Sequence, residues 1–181
     1  MLSKKECRSA IRTRVKAMSE CEKKTESEKT MQAVEQLEEF KAAKTILAYW
    51  SLPDEICTHQ FVEKWSKHKR FLLPVVVGDD LEIREYKGRE SMAEGAFGIL
   101  EPQGKAVTDL SSIDLSIIPG MAFNPTTGAR LGRGKGYYDR LSVTLSPHTY
   151  NVGVCFNAQI CADFKTDEWD MMVAKIITAN E

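Results

Sequence analysis

Between Pro119 and Arg140 the chain reads Pro-Gly-Met-Ala-Phe-Asn-Pro-Thr-Thr-Gly-Ala-Arg-Leu-Gly-Arg-Gly-Lys-Gly-Tyr-Tyr-Asp-Arg. At its centre Gly132, Gly134 and Gly136 alternate with Arg133 and Lys135, so every second side chain is missing while two strong cations remain. Such a segment suits an anion with several oxygens. Backbone N–H groups can approach phosphate where no Cβ intervenes, positive φ is inexpensive, and guanidinium and ammonium add charge-assisted hydrogen bonds. Tyr137 to Arg140 lead into Leu141 and Val143, a loop passing into a helix whose N-terminus is expected to face the same anion.

The spacing is not that of the common phosphate loops. A Walker A loop ending in Gly134-Lys135 requires Gly at 129 and Ser or Thr at 136, where Ala129 and Gly136 stand. The dinucleotide fingerprint fails as well, because Gly132 and Gly134 are followed by Lys135, Gly136 and Tyr137. Two further stretches carry chemistry. Lys4, Arg8 and Arg12 recur every four residues near the N-terminus, a spacing that by itself reads as a solvated basic face. Leu52-Pro53-Asp54-Glu55-Ile56-Cys57-Thr58 follows an apolar run, and a carboxylate there suits a helix start or a ligand at a strand end.

The run Arg130-Leu131-Gly132-Arg133-Gly134-Lys135-Gly136-Tyr137-Tyr138-Asp139 resembles the signature of the 5-formyltetrahydrofolate cyclo-ligase family, and the resemblance extends over nearly the whole chain. It implies ATP-dependent closure of 5-formyltetrahydrofolate to 5,10-methenyltetrahydrofolate, with ADP and phosphate released. It also implies ATP contacts from Lys4 and Arg8 and from Arg130 through Tyr138, with Arg133 and Lys135 catalytic. Leu52, Glu55 and Cys57, with the loop from Arg133 to Tyr137, correspond to the folate site, and Asp139 and Asp170 to carboxylates that hold Mg²⁺. Gly98-Ile99-Leu100-Glu101-Pro102 is similar to a family segment near the folate, which makes Phe97, Ile99 and Glu101 weaker substrate candidates. Asn157-Ala158-Gln159 and Trp169 to Val173 resemble the family's closing segment. Two positions depart from the pattern: Asn124 stands where relatives carry Asp, and Cys57 where they carry a polar or acidic residue.

The residues alone leave two other readings open. One is an enzyme of a related sheet fold that binds a phosphorylated metabolite. The other is a nucleic-acid-binding module using Arg130, Arg133, Lys135 and Arg140 with the tyrosines. A formal net charge of -1 over 181 residues argues against a general attraction to nucleic acid or acidic membranes, so any basic site is local. Five cysteines, odd in number and without C-x-x-C, are expected to be reduced thiols. No apolar run approaches spanning length, so a cytoplasmic location is the expectation; a monomer acting on a small molecule is expected as well.

The elements that must position these residues follow from periodicity. Cys7, Ile11, Val15 and Met18 mark a helix over residues 3–18. Ser19 with Glu22 fits a capping box that starts a second helix, with Met31, Val34 and Leu37 on its buried face. Short apolar runs at 45–51, 70–77, 81–87, 115–119, 150–156 and 174–178 read as strands, Pro74 marking an edge, an end or a bend. Alternation of strands with helices and the absence of an internal repeat predict one α/β domain over residues 1–181, a three-layer αβα sandwich with a mainly parallel sheet.

Overall fold

The computed structural model describes residues 1–95 and 98–180. The chain opens on two helices, α1 (Lys4–Ala17) and α2 (Glu20–Gln36). Each begins with a complete capping box: Ser3 with Glu6, and Ser19 with Glu22, exchange side-chain and backbone hydrogen bonds. This reciprocity satisfies N–H groups that a helix start otherwise leaves orphaned. A short α3 (Glu38–Ala42) leads to β1 (Thr45–Leu47), then α4 (His59–Trp65), β2 (Arg70–Val77), β3 (Asp80–Glu85), β4 (Met92–Glu94), β5 (Leu100–Pro102) and β6 (Leu115–Ile118). The hairpin β7 (Ala122–Phe123) and β8 (Arg130–Leu131) follows, then α5 (Tyr137–Ser142), β9 (Tyr150–Val154) and β10 (Lys175–Ile177).

Six strands form the central sheet in the order β10-β9-β6-β1-β2-β3, all parallel except the edge strand β3, which returns antiparallel along β2. From β1 the chain first steps outward to β2 and later crosses back over β1 to reach β6. Between β1 and β6, therefore, the two connections leave in opposite directions and open a crevice at the carboxyl ends of the strands, where open α/β sheets bind ligands.

Both faces of the sheet are covered, but unequally. Ile46, Phe71, Leu73, Leu115, Ile117, Val152 and Val154 face the apolar stripes of α1 to α4, including Cys7, Ile11, Val15, Met31, Val34, Phe40 and Val62. The alternate residues Leu47, Leu72 and Ile118 face the opposite side, which is closed by Leu141 of α5 and by Leu110, Ile113, Leu145, Met171 and Val173 from loops. The third layer is thus one six-residue helix supplemented by irregular chain.

Strand ends deviate from the periodicity in an informative way. Regular pairing of β1 stops at Leu47; Ala48 N–H still donates to the Leu72 carbonyl, and the chain then leaves the sheet, so Tyr49, Trp50 and Leu52 become wall rather than strand. Pro74 does not break β2: on the β1 side regular pairing has already ended with Leu47 opposite Leu72, and on the other side Pro74 pairs in register with Ile83.

Candidate active site

The glycine loop is delivered by the β7–β8 hairpin. Asn124 makes its turn: the side-chain oxygen accepts from the N–H groups of Thr126 (2.9 Å) and Thr127 (3.2 Å), while its amide donates to the Ala162 carbonyl at 2.9 Å. An aspartate could not make the last bond, and Asn124 lines neither cavity described below. Next to it, β8 is clamped from the far side, with Arg130 N–H donating to the Met171 carbonyl and Val173 N–H to that of Gly128.

Beyond Leu131 the loop needs glycine for two distinct reasons. Gly134 and Gly136 have φ of +104° and +70°, in the left-handed region that L side chains rarely adopt. At Gly132 space decides instead, since a Cβ there would come within 2.9 Å of the Arg130 guanidinium. From α1, Arg8 Nε donates to the Gly132 carbonyl at 2.8 Å, which explains why a basic residue on the first helix belongs to this loop.

The loop separates two cavities. On one side is a slot of about 580 Å³ at the crevice between β1 and β6, lined by Tyr49, Trp50 and Leu52 after β1 and by Pro119 and Gly120 after β6. Pro74, Val76, Leu81, Ile99 and Leu100 add apolar wall, and Glu55, Glu101, Arg133, Lys135, Tyr137 and Tyr138 supply polar groups. On the other side is a groove of about 650 Å³, lined by Lys4, Arg8, Gly132, Gly134, Gly136, Asp139 and Asp170. Gly132, Gly136 and Asp139 border both.

The charged side chains divide into struts and contacts. Arg130 is only 6% exposed; its Nε donates to the Pro119 carbonyl at 2.7 Å, its Nη1 lies 3.5 Å from Asp139 Oδ1, and its guanidinium stacks 4.8 Å from the Tyr138 ring. Burial, partly offset by Asp139, lowers its pKa, and burial with the nearby Glu55 charge raises that of the Tyr138 phenol well above its usual value. These two residues hold the loop against β6 from beneath. Arg133 lies at the surface and grips the turn after β1, with Nη1 and Nη2 at 3.1 and 2.6 Å from the Asp54 carboxylate and Nη2 3.1 Å from Glu55. Burial pulls the Arg133 pKa down, but its bonds to Asp54 and the charge of Glu55 more than reverse this, so its charge is firmly held. Glu55 is itself oriented by the Leu52 N–H at 2.9 Å. Among the described residues the Lys135 ammonium has no hydrogen-bonding partner.

Lys4 and Asp170, predicted as separate ATP and metal contacts, are joined here. Lys4 Nζ lies 2.5 Å from Asp170 and 2.7 Å from Asp167; although burial acts against it, these carboxylates raise its pKa. Asp139 accepts from the Met171 N–H at 3.1 Å. Among the described residues no group of three or more His, Cys, Asp or Glu side chains is placed to hold a metal ion. Two carboxylates on one groove nonetheless fit Mg²⁺, which takes one or two carboxylates and completes its shell with water and phosphate oxygens.

Several expectations change on these grounds. Leu131 is 2% exposed, with its side chain in the core, so only its backbone is available to a nucleotide. Cys57 faces a neighbouring cleft of about 400 Å³ with Lys23 and Lys24, a cleft that meets the slot at Leu52 and Glu55. Helix α5 has six residues, too few for a strong dipole, so attraction at the loop rests on its cations. Arg140 is drawn away to the β2–β3 turn, where it bonds Asp80 at 2.8 Å and the Asp79 carbonyl. Arg130 is buried as well, so Arg130, Arg133, Lys135 and Arg140 are not exposed together. Ile99 and Glu101 line the slot as expected, whereas Phe97 lies outside the described residues. Reasoning from sequence missed Asp54, whose signal was its position beside Glu55, and Tyr49, Trp50, Pro74, Val76 and Leu81, which only the crevice brings together.

Comparison with known proteins gives the same answer from another direction. A sequence model described as the 5-formyltetrahydrofolate cyclo-ligase family matches residues 1–179. The 5-formyltetrahydrofolate cyclo-ligase of Haemophilus influenzae is 30% identical over 146 residues, covering 77% of this chain and 78% of that protein, and the Escherichia coli enzyme is 29% identical over 146 residues, 77% and 80%. The solved 5,10-methenyltetrahydrofolate synthetase of Aquifex aeolicus superposes with a TM-score of 0.85 at 32% identity, covering 98% of this chain and 90% of that one. That of Mycoplasma pneumoniae gives 0.77 at 26% identity, with coverage of 97% and 98%. With a loop that parts a slot of largely apolar wall from a groove lined by charges of both signs, and a match along essentially its entire length, the chain belongs to the 5-formyltetrahydrofolate cyclo-ligase family.

Proposed function

We propose that the chain converts 5-formyltetrahydrofolate and ATP to 5,10-methenyltetrahydrofolate, ADP and phosphate, with the folate in the slot and the triphosphate in the groove. The observation that carries this reading is the loop Gly132–Gly136, which borders both cavities with little side chain between them. An N-formyl oxygen is a poor leaving group as hydroxide. Transfer of the γ-phosphoryl group to it breaks the bond to ADP; attack by N10 on the activated carbon then expels phosphate, and the N10 proton is lost. Catalysis of this kind rests on positioning and charge and needs no protein nucleophile.

The assigned roles follow from where each side chain lies. Arg133 and Lys135 border the slot beside the loop and neutralise charge on the transferring group. Lys4 and Arg8 take the other end of the triphosphate, and Arg130 and Tyr138 hold the loop rather than the ligand. Trp50, Leu52, Val76 and Tyr137 give the reduced pterin an apolar, water-poor wall, while Glu55 serves its polar edge or the N10 proton. Asp139 and Asp170 would hold Mg²⁺, which when bound would offset phosphate charge; in the structure Asp170 carries the Lys4 ammonium. The same reading takes the chain as one cytoplasmic domain, monomeric, with a small molecule rather than nucleic acid or membrane as its partner. It is supported by a net charge of -1, by five free thiols and by the lack, among the described residues, of any helix long and apolar enough to cross a membrane.

The deciding experiment follows methenyltetrahydrofolate absorbance with purified protein, with and without ATP and Mg²⁺, and measures ADP in parallel. Product and ADP are expected to appear together and only in the presence of 5-formyltetrahydrofolate. ADP release indifferent to the folate, or no product with both substrates present, overturns the proposal.

A further inference from the structure

Six large apolar side chains among the described residues are exposed, and three of them, Val143 (82%), Trp169 (66%) and Met172 (48%), line the groove behind the glycine loop. Leaving an indole in water forgoes a large burial term. Trp169 is nevertheless held outward by a clamped turn: Asp167 N–H donates to Asp170 at 2.7 Å, Asp170 N–H to the Asp167 carbonyl at 3.1 Å, and Lys4 bridges both carboxylates. No aromatic ring among the described residues stacks on it.

Both ends of an asymmetric ligand are catered for within this one groove. Gly136 caps the start of α5 and Val143 caps its end, so the phosphate-seeking loop and the apolar patch are separated by a six-residue helix, about 9 Å at 1.5 Å per residue. Lys4 and Arg8 stand on the same wall, Lys4 beside the Asp170 carboxylate. An amphiphile carrying several negative charges at one end and a flat uncharged ring at the other matches this arrangement. We infer that Trp169, flanked by Val143 and Met172, is the stacking platform for the purine base of the nucleotide. This deepens the functional reading above and rests on it. Recognition is by the face of the ring, because a π-face is what an indole offers, and it relieves Tyr137 and Tyr138, which line the opposite slot, of any role toward the base.

The test uses the full chain, ADP, and inorganic tripolyphosphate as a base-free probe. In the unaltered protein ADP is expected to perturb tryptophan emission and tripolyphosphate not to. Trp169→Ala should weaken ADP binding about tenfold, as expected for one base–aromatic stack, and leave tripolyphosphate binding unchanged. Trp169→Phe, which keeps a ring, should retain most of the affinity while losing the fluorescence response. Unaltered ADP binding in Trp169→Ala overturns the inference, and so does equal loss of both probes, which would mark Trp169 as a structural support of the turn. Wild-type protein that binds tripolyphosphate as tightly as ADP overturns the base platform alone. Failure to bind either probe overturns the nucleotide site altogether.

Discussion

Arg133 grips two carboxylates across the mouth of the slot, bidentate on Asp54 and singly on Glu55, although its side chain is 42% exposed. A surface pair of this kind contributes little to stability. Its consequence is positional: a cation of the glycine loop is held at the slot with its charge secured. Replacing it by Ala should cost about 1.5 to 3 kcal/mol of transition-state stabilisation, about ten- to a hundredfold in kcat/KM, while the urea midpoint stays near that of the parent. Unchanged kinetics would remove it from the catalytic machinery. Asp139 is the complementary case, an acid at the boundary of slot and groove that is held by the Met171 N–H. Asp139→Asn keeps the acceptor for that N–H and removes the charge, so the Mg²⁺ concentration for half-maximal activity should rise; an identical Mg²⁺ titration would take Asp139 out of the metal site.

The β7–β8 hairpin is the element on which the loop depends. Only two residues of each strand pair, so the hairpin is held by what surrounds it: the Asn124 turn, the 171–173 segment along β8, and Arg130 braced on Pro119. In Asn124→Asp the turn hydrogen bonds from Thr126 and Thr127 survive, and the bond to the Ala162 carbonyl is lost and replaced by two facing acceptors. We expect a loss of about 1 to 3 kcal/mol in unfolding free energy, read from urea denaturation, with KM for both substrates unchanged because Asn124 borders neither cavity. A rise in either KM without loss of stability would show that the departure at this position concerns ligands after all.

For the whole molecule, the pH dependence of stability should carry the mark of the joint between α4 and the slot wall. His59, at the start of α4, stacks on Trp50 with ring centres 4.1 Å apart and meets the Ser51 carbonyl through Nε2 at 3.1 Å. Burial lowers its pKa from 6.5, opposed by the Ser51 bond. Because the unfolded chain then binds the proton more readily, this contribution is present in full above 6.5 and is lost as pH falls from there through the depressed folded value. Urea midpoints should therefore decline on going from pH 7.5 to 5.5, and His59→Gln should flatten that decline. An equal slope in both proteins would remove His59 as its source. The joint matters because Trp50 lines the slot and is held in place by its stacking on His59 and Tyr86.

Much of this was legible before any coordinates. The capping box at Ser19, the stripe Cys7-Ile11-Val15 and the apolar runs each draw on neighbours close in sequence, so periodicity marked α1, α2, the six strands of the central sheet and the α/β class, whereas α3 and the two- and three-residue strands β4, β5, β7 and β8 are too short to leave a period. The side-chain-poor cationic loop was likewise explicit, because its chemistry lies in consecutive residues. Which cations face a ligand was not. Arg130 and Arg133 are of one type and three residues apart, yet one is a buried brace and the other a surface contact, a distinction made by the Pro119 carbonyl and the Asp54 carboxylate. The slot wall has the same origin: Tyr49, Pro74, Ile99 and Gly120 become neighbours only where the sheet order reverses between β1 and β6. Local sequence determines which elements form and what chemistry a loop can offer; the long-range pairing of strands decides which atoms share a cavity, because proximity between distant residues is a property of the closed chain alone.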